Sequence, residues 1–289
     1  MGEDAVQITF NNVSYTYMPG SPFEKKALED VNLTIRSGNF TTIVGSTGSG
    51  KSTLMQHVNG LLLPTEGQVT VGNTSFHRKT KRKFVKPLRR KVGMVFQYPE
   101  HQLFGSTVEE DILFGPIQHG MDAGEVSKRI PELLDLVGLP QDVRDGSPFQ
   151  LSGGQMRRVA IAGVLATRPE VLILDEPAAG LDPAGHRALL DLFQAWHKEN
   201  GLTTVLVTHD MEDAFRYADE VVVMGDGRPV LQGEPEQVFQ DSDRLQSLGL
   251  AVPAAVRIRE KLNRCGLSID ESFLSAKQMA TAIRNEGGK

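Results

Sequence analysis

The sequence carries a single cysteine, Cys265, among 289 residues. One thiol forms neither an intrachain disulfide nor a cysteine-cluster metal site, which suits a reducing compartment. Long apolar runs are missing too. A run such as Val159-Ala160-Ile161-Ala162-Gly163-Val164-Leu165-Ala166 falls far short of the ~20 residues that cross a bilayer as a helix. The N-terminal Met1-Gly2-Glu3-Asp4 is acidic and lacks an apolar stretch, so no signal peptide is expected. If such a chain works at a membrane, another subunit must hold it there. Nor is there an excess of basic charge: the formal net charge is −5, without the global signature of a nucleic-acid binder. What remains is a chain 39% hydrophobic, with material for a proper core and length for one large domain or a domain with an appendage.

The most informative stretch is Gly45-Ser46-Thr47-Gly48-Ser49-Gly50-Lys51-Ser52, which fits the phosphate-binding P-loop pattern G-x-x-x-x-G-K-[ST]. Its context agrees. Phe40 to Val44 is β-branched and apolar and reads as a buried strand, and Ser52 to Asn59 reads as a helix. Glycines let successive backbone N–H groups converge on one anion, and the helix dipole adds its positive end. Lys51 is expected to reach the β- and γ-phosphates, and Ser52 to hold Mg²⁺.

Elsewhere the chain reads as alternating strands and helices. Val6 to Tyr17 and Ala27 to Ile35 alternate as strands around a Pro19-Gly20-Ser21-Pro22 turn. Tyr17 has two readings, a ring that stacks on a nucleotide base or a half-exposed strand tyrosine. Arg78 to Lys91 is dense in base; a solvated loop and helix end is favoured over contact with anionic lipid or nucleic acid. Val92 to Phe96 is a strand ending at Gln97, and the Tyr98 to Phe104 loop is either a buried linker or a contact surface. Asp122 to Val137 carries a helical stripe of Val126, Ile130, Leu133, Leu134 and Val137, with Pro131 expected to kink it or displace its first turns. In the tail, Ala255, Ile258 and Leu262 predict one short helix, and Ala276, Met279, Ala280 and Ile283 another, with Ser275 and Gln278 as its capping box.

Three further motifs carry chemistry. Ser152 N-caps a helix from Met156 to Ala166, so Leu151-Ser152-Gly153-Gly154-Gln155 is a second glycine-bearing loop at a helix N-terminus. Val171 to Leu174 is an apolar strand that delivers Asp175 and Glu176, the Walker-B arrangement in which the aspartate supports Mg²⁺ and the next acid is placed to take a proton from water. Thr203 to Val207 ends in Thr208-His209-Asp210, where open α/β sheets place their ligands.

The order of these motifs, from P-loop through Gln97, Leu-Ser-Gly-Gly-Gln, Asp175-Glu176 and Gly180-Leu181-Asp182 to His209, resembles the ATP-binding cassette (ABC) ATPases over about residues 6–233. The resemblance implies an α/β P-loop fold: a mixed RecA-like core sheet, an antiparallel β subdomain, a helical subdomain at about residues 100–165, and a small helical appendage over 234–289 that serves dimerisation. It also implies roles. Tyr17 would stack on adenine. Gly45, Ser46, Thr47, Gly48, Ser49, Gly50, Lys51, Ser52 and Thr53 would hold the ATP phosphates. Ser52, Gln97 and Asp175 would hold Mg²⁺. Glu176 would be the general base, with Gln97 positioning the attacking water and His209 touching the γ-phosphate. Ser152, Gly153 and Gly154 would reach the nucleotide of a partner cassette, and Asp182 would couple the two sites.

A finer likeness, carried by Pro22-Phe23-Glu24, Gln56 to Leu61, Phe96 to Phe104, Phe114-Gly115-Pro116 and Leu151 to Ala166, is to the ATPases of energy-coupling factor (ECF) transporters. Gln155-Met156-Arg157-Arg158 and Glu176 to Pro183 point to the second of their two paralogues, although Ala178 stands where that paralogue's usual pattern has threonine. This implies an ATPase at the cytoplasmic face of the cell membrane. Its partners would be a second cassette (a paralogue, giving a heterodimer), a transmembrane coupling subunit and a substrate-binding membrane subunit for vitamins or other micronutrients. The Gln97–Phe104 loop would help receive the coupling subunit, with Glu100 facing its basic residues. Two alternatives keep the cassette but change the setting: a conventional ABC importer, or an ABC ATPase acting on DNA or ribosomes. The second is opposed by one Walker A per chain and by the lack of sustained heptads between Phe104 and Gln150.

Overall fold

In the computed structural model, residues 6–240 and 242–264 are described. Two sheets organise them. The first has four antiparallel strands in the order β2-β1-β4-β5: β1 Ile8–Tyr17, β2 Lys25–Ile35, β4 Glu66–Val71 and β5 Thr74–His77. The second has six strands in the order β10-β9-β3-β8-β7-β6: β3 Phe40–Gly45, β6 Val92–Val95, β7 Val171–Asp175, β8 Thr203–Val207, β9 Glu220–Gly225 and β10 Arg228–Gly233. Its four pairings from β9 to β6 are parallel, and the β9–β10 edge is antiparallel. The sequence explains the division. Strands β3, β6, β7 and β8 are buried along their whole length, as a sheet covered on both faces requires. In β1, by contrast, buried Ile8, Phe10 and Val13 are interrupted by exposed Asn11 and Asn12.

Helix α1 (Lys51–Val58) leaves β3 through the P-loop and packs into the core between the sheets, where Leu54, Met55 and Val58 join Ile8, Leu28, Ile43 and Val69. The basic segment forms two single-turn helices, α2 (Arg82–Val85) and α3 (Leu88–Lys91), pinned by buried Val85 and Leu88. A helical unit then follows: α4 (Val108–Gln118), α5 (Ala123–Ser127), α6 (Ile130–Leu136) and α7 (Gly153–Ala166). Its core joins Ile112, Ile130, Leu134, Val159 and Ile161 to Leu172 and Leu206 of the six-stranded sheet. Helices α8 (Pro183–Asn200) and α9 (Met211–Tyr217) complete the sheet's cover. Helices α10 (Pro235–Gln240), α11 (Ser242–Ser247) and α12 (Ala254–Arg264) add a smaller cluster in which Val238, Phe239, Leu245 and Val256 meet Val44, Val221 and Val223.

The helix expected over Asp122 to Val137 is two helices. Asp122 caps α5 by accepting from the Glu125 N–H, and Pro131 opens α6. A proline at the start of a helix loses no intrahelical bond, so the break falls in front of it rather than as a kink. Helix α12 covers the first tail helix expected from Ala255, Ile258 and Leu262. The second, with Ser275 and Gln278, and Cys265 lie outside the described residues.

Candidate functional site

The P-loop backbone is built for close approach. Gly45, Gly48 and Gly50 all have positive φ, at 155°, 85° and 99°, a region L-residues avoid. At Gly50 a Cβ would sit 2.6 Å from the Ala27 carbonyl oxygen, and at Gly45 it would collide with the Met224 carbonyl, whereas at Gly48 it would meet nothing within 4 Å. The loop is therefore closed on its protein side and open on the other. Lys51 is buried and donates to the carbonyl oxygens of Gly45 (2.7 Å) and Ser46 (3.0 Å). Burial lowers its pKa, against the opposing pull of Glu176 and Asp175.

The end of β7 brings two acids to this loop. Ser52 Oγ donates to Asp175 Oδ1 at 3.4 Å, joining residues 123 positions apart. Burial raises the Asp175 pKa, with Ser52 and Lys51 opposing. A hydroxyl and a buried carboxylate are the hard oxygen donors that suit Mg²⁺, so the residues present fit that ion. Glu176 adopts φ +48° and its N–H donates to the Val207 carbonyl. This turn swings its carboxylate between two neighbours: Gln97 Nε2 donates to Oε2 at 3.2 Å, and His209 Nδ1 lies 3.4 Å from Oε1. The three residues expected to be catalytic thus meet at one point, from the ends of β6, β7 and β8.

Tyr17 lies at the mouth of the P-loop. Its hydroxyl is 3.1 Å from Thr53 Oγ1, its ring meets Tyr15 edge-on, and it shares a cleft of about 160 Å³ with Lys25, Gly48, Lys51 and Ser52. Ser152, Gly153 and Gly154 form a separate feature. Ser152 and Gln155 make a reciprocal capping box at the start of α7, and a Cβ at either glycine would meet no atom within 4 Å. No hydrogen bond among the described residues joins them to the P-loop or to Glu176. Asp182 caps α8, accepting from the N–H groups of Ala184 and Gly185 at 2.9 Å, which lowers its pKa.

Two pairs were not anticipated. His186 Nε2 contacts both carboxylate oxygens of Asp213 at 2.8–2.9 Å, and Thr208 Oγ1 donates to the same acid at 3.4 Å. Asp213 is buried, which raises its pKa against the lowering effect of His186. The pair ties α8, capped by Asp182, to the residue preceding His209. No periodicity links positions so far apart in the chain. The second pair corrects an expectation. Glu100 does not face outward but takes a two-pronged contact from buried Arg157, with Nε at 2.9 Å and Nη2 at 2.7 Å. Arg157 Nη1 also donates to the carbonyls of Pro177 and Ala179. The fork is a strong, bidentate, charge-assisted contact, so Glu100 is engaged within the fold.

The chain matches the family described as ABC transporter over residues 28–179. It is 53% identical over 280 residues to the energy-coupling factor transporter ATP-binding protein EcfA2 of Geobacillus kaustophilus, covering 96% of this chain and 97% of that one. With the EcfA2 protein of Enterococcus faecalis it shares 52% identity, covering 96% of both chains. Among solved structures, cbiO1 of Clostridium perfringens, part of the ABC transporter complex cbiONQ, superposes with a TM-score of 0.73 at 38% identity, covering 89% of this chain and all of that one. An ATP-binding cassette solved as a dimer in a post-hydrolysis state with ADP and Pi gives a TM-score of 0.70 at 33% identity, covering 79% and 98%. The chain belongs to the ABC transporter family, in the branch of the energy-coupling factor transporter ATP-binding proteins, ATPases that couple ATP hydrolysis to transport.

Proposed function

We propose that this chain powers an ECF-type importer for vitamins or other micronutrients from the cytoplasmic face of the membrane. It would act with a second, paralogous cassette, a transmembrane coupling subunit and substrate-binding membrane subunits. The observation that carries the catalytic part is the placing of Glu176 between Gln97 and His209, beside the Ser52–Asp175 pair. Glu176 takes the proton from the attacking water, Gln97 orients that water, and His209 reaches the γ-phosphate. Ser52 and Asp175, with Gln97, hold Mg²⁺, which when bound neutralises phosphate charge. Lys51 exchanges its two loop carbonyls for phosphate oxygens, and Tyr17 offers its ring to the base. The N-terminus of α7, capped by Ser152 but with Gly153 and Gly154 open to approach, suits contact with the nucleotide of a partner cassette.

The transport part is supported by a groove of about 220 Å³ with mixed polar and apolar lining, including Arg89, Leu103, Phe104, Phe114, His119 and Val164. Phe104 and Phe114 meet edge-on at 4.7 Å and are 61% and 46% exposed. Exposed aromatic pairs of this kind mark protein contacts, and a helix of the coupling subunit is the occupant proposed. Among the described residues no helix is long and apolar enough to cross a membrane. The test is purification of the tagged chain from gently solubilised host membranes. Recovery of a second, different cassette with a coupling protein and small membrane subunits is expected. Recovery with only itself and a conventional permease would overturn the ECF assembly.

A further inference from the structure

The basic segment is unused by the site described above. Arg78, Lys79, Lys81, Arg82, Lys83, Lys86, Arg90 and Lys91 are all exposed, and no Asp or Glu interrupts the run from Arg78 to Lys91. Among the described residues only Lys91 of this segment forms an ion pair, with Glu170 at 2.9 Å. The segment is not a loose loop. Buried Val85 and Leu88 anchor it, and Val85 packs directly over Gly60 after α1. On its outer side Phe84 is 62% exposed, with the Lys83 ammonium 5.1 Å from its ring centroid. The patch is continuous with the aromatic groove: Arg89 lines that groove, as does His119, whose pKa is lowered by burial and by Arg90, Arg89 and Lys86.

We propose that this patch is a contact for the anionic headgroups of the membrane leaflet, beside the groove that receives the coupling subunit. Unpaired Lys and Arg side chains around an exposed aromatic ring suit a charged interface, where the cations meet headgroup phosphates and the ring enters the headgroup layer. The continuity of the patch with the groove proposed for a membrane subunit favours the leaflet over a nucleic acid. The proposal rests on the groove being the docking site of a membrane subunit, since that docking brings the patch to the leaflet.

The test is co-sedimentation of the full chain with vesicles of phosphatidylcholine alone, or of phosphatidylcholine and phosphatidylglycerol in equal parts. Binding to the anionic vesicles only, weakened by salt, is expected. Each cation near such a surface is worth about a fivefold change in partition, so the triple variant K83Q/K86Q/R90Q is expected to lose roughly a hundredfold. F84S is expected to weaken binding at unchanged charge, and ATPase activity is expected to persist in both variants. Equal binding to both vesicle types, or anionic binding untouched by the triple variant, overturns the proposal. So does loss of the coupling subunit from the triple variant in co-purification with vesicle binding intact, which would make the patch a protein contact. The vesicle assay contains no partner subunit, so it remains readable if the importer assembly itself proves wrong.

Discussion

Glu176 holds a left-handed backbone, with φ +48°, directly after a fully buried strand. Such a conformation costs a non-glycine residue of order 1 kcal/mol and persists where the surroundings enforce it. Here the Glu176 N–H is committed to Val207 and the carboxylate to Gln97 and His209. Glu176→Gln keeps the size and leaves an oxygen for the Gln97 amide to donate to, while removing the basic group. Binding of ATP is therefore expected to be retained and turnover to fall by about 100- to 10,000-fold, the range a general base supplies. Single-turnover hydrolysis alongside equilibrium nucleotide binding checks this, and near-normal turnover would refute the role of Glu176. A neighbouring residue tests a different property. His186→Ala strips buried Asp213 of its contact, leaving a buried carboxylate with one weak hydroxyl partner. A stability loss of about 3 kcal/mol is expected, read by denaturant unfolding, and His186→Asn is expected to restore part of it.

At the scale of elements, α7 is where the separate parts of the site are joined. From its second turn Arg157 reaches Glu100, in the loop after Gln97, and the carbonyls of Pro177 and Ala179, just after Glu176. One side chain thus ties the helix bearing Ser152 and Gly153 to both segments that flank the catalytic acid. Arg157→Ala leaves Glu100 without its counter-charge, and a loss of about 3–5 kcal/mol is expected. Because the linkage also positions Gln97 and Glu176, kcat is expected to fall more than nucleotide affinity. Unchanged kcat in a stably folded Arg157→Lys variant would show that the clamp is structural only. The elements were not equally legible. The P-loop, β7 and α7 declare themselves because glycine spacing, an apolar run ending in acids and a capping serine each have one physical reading. Helix α8 carries its signal too, with Asp182 and Pro183 at its start, Leu189, Leu190, Phe193 and His197 buried along it, and Gly201 after it. Helix α4 does not: Gly115 and Pro116 read as breakers, and Phe114 and Ile117 are exposed rather than part of a buried stripe.

At the scale of the whole molecule, the contacts hardest to read in the sequence are those between the two sheets, because they join residues of unrelated local pattern. His57 is one. It sits on α1 under the four-stranded sheet, fully buried, with its ring 5.0 Å from Tyr15, which in turn meets Tyr17 at the P-loop mouth. Its Nδ1–H donates to the Thr53 carbonyl at 2.7 Å, while Nε2 has no partner. Burial lowers its pKa from 6.5 to about 4. In the unfolded chain the same imidazole protonates near pH 6.5. Between these values the unfolded state binds the extra proton, so stability falls as pH falls. The contribution is complete above about pH 6.5 and declines by about 3 kcal/mol as pH drops towards 4, at 1.36 kcal/mol per pH unit. His197, whose pKa is also lowered by burial, acts in the same direction. Asp175 and Asp213, raised by burial, act in the opposite direction at the acid end. The His57 share is isolated by comparison with His57→Leu, which removes one titration and leaves the others. Denaturant unfolding from pH 7 to pH 5 is expected to give a shallower loss of stability for the variant than for the wild type. Parallel curves would mean that the acid sensitivity of the interface between the sheets lies elsewhere.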